Sequence, residues 1–95
     1  MEASDKKYYE FHQELFSTIE AFGFELIAYS EEPRAFDNFY AIFSNGPIEF
    51  QVVRERSLYH ISDLLDGMEE SGLNKAFKDK STFEKAIVNW LEQRQ

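Results

Sequence analysis

The sequence predicts an α+β fold. The architecture is a two-layer sandwich: a four-stranded antiparallel meander sheet with N- and C-terminal helices packed on one face, in the order α-β-β-β-β-α-α. Three observations carry this expectation. Tyr8, Phe11, Leu15, Phe16, Ile19 and Phe22 recur at spacings of three and four, the stripe of an amphipathic helix. Asn45-Gly46 lies between two β-type runs, and a type I′ hairpin needs positive φ at both central residues, which Asn and Gly supply most easily. Ser81-Thr82-Phe83-Glu84 has the Ser-x-x-Glu form of a capping box ahead of a second helical stripe, Phe83, Ile87, Trp90 and Leu91. A run of strands flanked by helices implies α+β with an antiparallel sheet.

The elements follow in order. Ser4 is the N-cap of the first helix, with Asp5 in the first turn, and Gly23 is its C′ residue after Phe22. From Phe24 to Ser30 the chain alternates, with Phe24, Leu26 and Ala28 facing one way and Glu25, Ile27 and Tyr29 the other. Residues 30–37 read as a loop, because Pro33 stops a ladder and the charges favour solvent. Asn38–Ser44 is the second strand. A two-residue Asn45-Gly46 loop would set Ser44 opposite Pro47, Phe43 opposite Ile48, Ala41 opposite Phe50 and Phe39 opposite Val52. These fall on a single apolar face. Pro47 strains that register, since it donates no ladder bond. A turn at Arg54–Ser57 then sets Val53 opposite Leu58, Val52 opposite Tyr59 and Phe50 opposite Ile61, with a fourth strand over Leu58–Ser62. Ser62-Asp63 would cap a short helix carrying Leu64, Leu65 and Met68 to about Gly72, against the cost of Gly67. Residues 73–78 read as a further helical turn or an ordered loop, and the last helix runs to about Gln93.

Ninety-five residues make one domain, 1–95, whose core buries roughly 60–65% of the unfolded surface. With 43% hydrophobic and 17% aromatic residues, the chain has enough apolar side chain to fold alone. The net charge of −8 argues against binding nucleic acid or anionic membrane, both of which need a basic face. It keeps a small protein soluble, and it also steers toward a basic protein partner. The absence of cysteine excludes disulfides and thiolate chemistry and fits a reducing cytoplasm. The first ten residues lack the apolar stretch of a secretory signal, and no apolar run is long enough to span a membrane.

No catalytic, cofactor or metal motif is visible. His12 and His60 fall in no H-x-x-x-H spacing and read as partly exposed structural histidines. The glycines are isolated, no serine sits in G-x-S-x-G, and the pairs Glu31-Glu32 and Glu69-Glu70 read as solvated surface charge. Arg54 and Arg56 flank Glu55 at a turn. They are turn charges balanced by Glu49 and Asp63, or anchors for a partner's carboxylate.

The informative feature is the second face of the sheet. By alternation it carries Ile27, Tyr29, Tyr40, Ile42, Val53 and Leu58, among Glu25, Glu49, Gln51 and His60. So many contiguous apolar residues call for a cover. The cover is either the 66–80 segment of the chain itself or a partner, the simplest being a second copy in an isologous homodimer.

The stretch NFYAIFSNGPIEFQVVRERSLYHISDL, followed by TFEKAIVNWL, resembles small bacterial α+β domains of unknown function, some of immunity-protein type. The shared pattern is a strand ending in an arginine-containing charged turn and leading to an aromatic-rich strand, here Val52 to Ile61. The resemblance implies a non-enzymatic protein that binds another protein, and it carries no functional residue over. The leading expectation is thus a cytoplasmic, non-enzymatic protein–protein interaction domain, binding itself or another protein through Ile27, Tyr29, Tyr40, Ile42, Val53, Leu58, Arg54 and Arg56. An immunity-like inhibitor of a basic toxin is an alternative within that class. A small-ligand or enzymatic domain using His60 or His12, and a structural subunit of a larger assembly, are the alternatives outside it.

Overall fold

A computed structural model of the chain describes residues 12–32, 38–62 and 65–93. The α+β arrangement is as expected: a four-stranded antiparallel sheet with an N-terminal and a C-terminal helix. Helix α1 is described over Gln13–Glu20 and the strands are β1 (Glu25–Glu32), β2 (Asn38–Ser44), β3 (Glu49–Glu55) and β4 (Leu58–Ile61). Helix α2 covers Lys80–Gln93. The sheet order β1-β2-β3-β4 is a simple meander. The expected Ser4 cap, together with Tyr8, Phe11, Pro33, Asp63 and Leu64, lies outside the described residues.

Both helices end or begin on recognisable chemistry. Gly23, at φ +94, takes the left-handed C′ position that only glycine adopts cheaply, and its N–H bonds the Glu20 carbonyl. The cap of α2 lies two residues before the expected Ser81. The Asp79 carboxylate accepts from the Thr82 N–H and hydroxyl, each at 2.8 Å. Those bonds hold its carboxyl below the ordinary aspartate value, the backbone N–H being the larger cause. The Glu84 carboxylate faces Thr18 Oγ1 at 3.2 Å and ties α2 to α1.

The faces of β2, β3 and β4 agree with the alternation, but the registers do not. Observed pairs are Ser44↔Glu49, Phe43↔Phe50 and Phe39↔Arg54 in the first hairpin, and Glu55↔Leu58 and Val52↔Ile61 in the second. Each register is two residues away from the expected one. Because side chains repeat every two residues, every one of these side chains keeps its face. Pro47 lacks the N–H that a closing pair with Ser44 would need. The Asn45 N–H instead bonds the Ile48 carbonyl at 3.0 Å, and Gly46, at φ +102, takes the first central position. The tight turn falls at Arg56 and Ser57, whose φ values of 54 and 66 are the paired positive values of a type I′ loop.

Three expectations fail in β1 and the 65–72 segment. A β-bulge between Leu26 and Ala28 inserts an extra residue, so Ala28 pairs with outward Ile42 while Tyr29 pairs with inward Ala41. Strand β1 also continues through Glu31 and Glu32, past its expected end at Ser30. The expected short helix is a succession of turns over 66–72, because Gly67 and Gly72 take φ +86 and +74.

One core joins the layers. Leu15, Phe16 and Ile19 of α1 and Phe83, Ile87, Trp90 and Leu91 of α2 bury against Phe39, Ala41, Phe43, Phe50 and Val52. Aromatic contacts run through it: Phe16 to Phe43 at 5.6 Å, Phe43 to Phe50 at 5.7 Å and Phe50 to Trp90 at 5.3 Å between ring centroids. The 65–79 segment sends Met68, Leu73 and Phe77 into this same core. Reciprocal backbone bonds between Tyr59 and Phe77, at 2.7 and 2.8 Å, extend the sheet past β4, and Trp90 Nε1 donates to the Asp66 carbonyl.

Candidate interaction face

The outward strand positions assemble one surface. Ser30 and Ala28 of β1 pair with Tyr40 and Ile42 of β2, which pair with Val53 and Gln51 of β3. Val53 continues to His60, and Glu55 faces Leu58 across the β3–β4 ladder. Ile27 at the bulge is 51% exposed and Tyr40 is 40% exposed, while Ile42, Val53 and Leu58 are half-buried. The structure thus brings Ile27, Tyr40, Ile42, Val53 and Leu58 together around β2 and β3. A depression of about 230 Å³ opens on this face, lined in part by Ser30, Tyr40, Gln51, Val53 and Glu55. Both helices and the 65–79 segment pack on the inner side, so none of these elements forms the expected cover.

Tyr29 does not belong to the face. The bulge turns it inward, where its ring meets Phe16 at 6.0 Å and Phe39 at 5.9 Å. Its hydroxyl donates to Glu31 Oε2 at 2.8 Å, a residue two along and therefore on the same side. Arg54 also departs from expectation. It is a residue of β3, not of a turn, and its pairing with Phe39 and Tyr59 puts it on the inner side. Its guanidinium lies 5.3 Å from the Tyr59 ring centre, a cation–π distance. Arg56 is at the β3–β4 turn as expected, exposed, with its N–H bonded to Asn38 Oδ1 at 3.1 Å.

The histidines differ from each other. His12 is not partly exposed. It is 2% exposed, and its Nε2 lies 2.9 Å from the Tyr59 hydroxyl. Phe39 and Phe16 stand beside it with ring centroids at 4.6 and 6.2 Å. The spacing His12, Leu15, Phe16, Ile19 puts it on the buried stripe, and burial of an imidazole requires a hydrogen-bond partner. His60 stands half-buried on the outer face, with Nε2 4.0 Å from Glu55 Oε1. No group of three or more potential metal ligands occurs among the described residues.

The face is electrostatically one-sided, a property that alternation alone did not bring out. Glu25, Glu49 and Glu55 are exposed on it. Arg54 is the single lysine or arginine in the four strands, and it points to the other side.

Comparison of the chain with protein-family models, with curated proteins and with solved structures finds no match. No helix among the described residues is long and apolar enough to cross a membrane.

Proposed function

We propose that the chain is a cytoplasmic, non-enzymatic protein-binding domain that docks its partner through the outer face of the sheet. The observation that carries this reading is the apolar band in which Ile27 and Tyr40, at 51% and 40% exposure, are flanked by half-buried Ile42, Val53 and Leu58. Exposed contiguous apolar surface on a small protein marks interaction sites, and tyrosine suits them with its apolar body and polar tip. The immunity-type resemblance implies the same class of activity, protein binding without chemistry, and adds no residue to the site. A chain without cysteine fits the reducing cytoplasm.

Light scattering on the purified chain, with Ile42→Lys beside it, tests the reading. A folded Ile42→Lys chain that loses an association present in the wild type supports an interface. An Ile42→Lys chain that cannot fold overturns it, since the face would then be covered from within.

A further inference from the structure

We propose that the occupant of the outer face is a basic protein surface, with an apolar centre ringed by lysine or arginine, and not a second copy of this chain. The proposal rests on the reading of that face as an interaction surface and names its partner's chemistry.

Carboxylates stand at both ends of the face. At one end Glu25, Ser44 and Glu49 form a cross-strand row on β1, β2 and β3. At the other, Glu55 stands across from Leu58. All three carboxylates are exposed, and among the described residues neither Glu25 nor Glu49 lies within salt-bridge distance of a cation. Between the two ends are Tyr40, Ile42 and Val53, with Leu58 and His60 beside Glu55. The sole strand arginine, Arg54, is on the inner side, and Arg56 is on the adjoining turn.

Two sheets that pack face to face in the aligned manner keep their strand directions within about 30°. In such a pairing of two copies, the orientation that joins like ends sets Glu25 and Glu49 against their own counterparts, and the reversed one sets them against an end where Glu55 is accompanied by Arg56 and His60. Like charges facing each other across an interface oppose docking and suppress that partner. The net charge of −8 adds repulsion at longer range. The same arrangement attracts a surface of opposite pattern: its apolar centre meets the band, and its cations meet the carboxylates at the rim.

Titration of the ¹⁵N-labelled full chain with designed peptides tests this. Two amphipathic peptides share one apolar face and differ in carrying lysine or glutamate elsewhere; a third carries the lysines without the apolar face. The lysine amphipathic peptide should shift the amides of Tyr40, Ile42 and Val53 and lose affinity as salt rises. The glutamate peptide should bind at least about tenfold more weakly. The lysine-only peptide should leave those amides unshifted. Reversing the rim with Glu25→Lys, Glu49→Lys and Glu55→Lys together should invert the preference between the amphipathic pair, and the free wild-type chain should sediment as a monomer.

Equal binding of the two amphipathic peptides, or a preference that survives the triple reversal, overturns the basic partner. So does a wild-type dimer that Ile42→Lys dissolves, although that result keeps the face as an interface. No binding by any peptide, with a monomer that Ile42→Lys leaves unchanged, overturns the interaction face itself.

Discussion

Phe43 and Ile42 are neighbours on β2 that face opposite sides of the sheet, so substituting each in turn measures what lies on either side. Phe43 is fully buried, with Phe16 and Phe50 at centroid distances of 5.6 and 5.7 Å. Phe43→Ala removes a ring from a closed site and leaves a cavity, which costs about 3–5 kcal/mol. A chain of 95 residues has a total stability of roughly 5–14 kcal/mol at typical values per residue. The change therefore removes about a fifth of the stability or more. Ile42 is only half-buried, its neighbours being side chains of the same face. Ile42→Lys gives up β-propensity within a scale of about 1 kcal/mol, and the lysine stem still covers apolar surface. Its cost should stay near or below about 1 kcal/mol. Urea unfolding followed by circular dichroism, with m-values compared to exclude a change in the unfolded state, reads both numbers. The reasoning fails if Ile42→Lys costs as much as Phe43→Ala, or if Phe43→Ala costs less than Ile42→Lys.

The remaining predictions concern the polar contacts and the turns. Tyr59→Phe removes the hydroxyl 2.9 Å from His12 Nε2 and should cost about 1–3 kcal/mol in urea unfolding; combined with His12→Phe, the loss should be smaller than the sum of the two single changes. Replacing Arg56-Ser57 by Asn-Gly relieves positive φ at two ordinary residues and should raise stability by about 1 kcal/mol, with the Arg56 N–H bond to Asn38 kept because it is backbone; a loss of stability would contradict the assigned turn. The Asp79 carboxyl, held below its ordinary value of 3.8 by the Thr82 bonds, contributes fully above that value and loses its contribution as pH falls through the lowered one. Wild type and Asp79→Asn should therefore differ by a constant amount at neutral pH and converge in acid, as thermal melts across pH would record.

The faces of the strands were legible in the sequence because alternation has a period of two, and the buried set Phe39, Ala41, Phe43, Phe50 and Val52 is written in it. The registers were not, because turns set them. Asn45-Gly46 has the composition of a tight loop, but Pro47 withholds the N–H that would close it, while Arg56-Ser57 adopts the tight geometry without a residue that favours it. The bulge at Leu26–Ala28 leaves no mark in an alternating run, and it alone moves Tyr29 from the outer face to the core. The partnership of His12 with Tyr59 spans 47 positions and depends on tertiary packing, although the phase of His12 with Leu15, Phe16 and Ile19 marks it as buried. Met68, Leu73 and Phe77 bury without a helical or strand period to announce them. The rim charges were legible as residues, but the row of Glu25 and Glu49 across three strands needs their observed pairing with Ser44.

Solvent paramagnetic relaxation on a methyl-labelled sample of the dilute free chain tests the central claim, that the outer face is bare until a partner arrives. The account predicts strong relaxation at the Ile27 and Ile42 methyls and at Val53 and Leu58, and almost none at Val52, Ile87 and Leu91. Protection of Ile42 and Val53 equal to that of Val52 would contradict it, because the chain would then already cover the surface assigned to its partner.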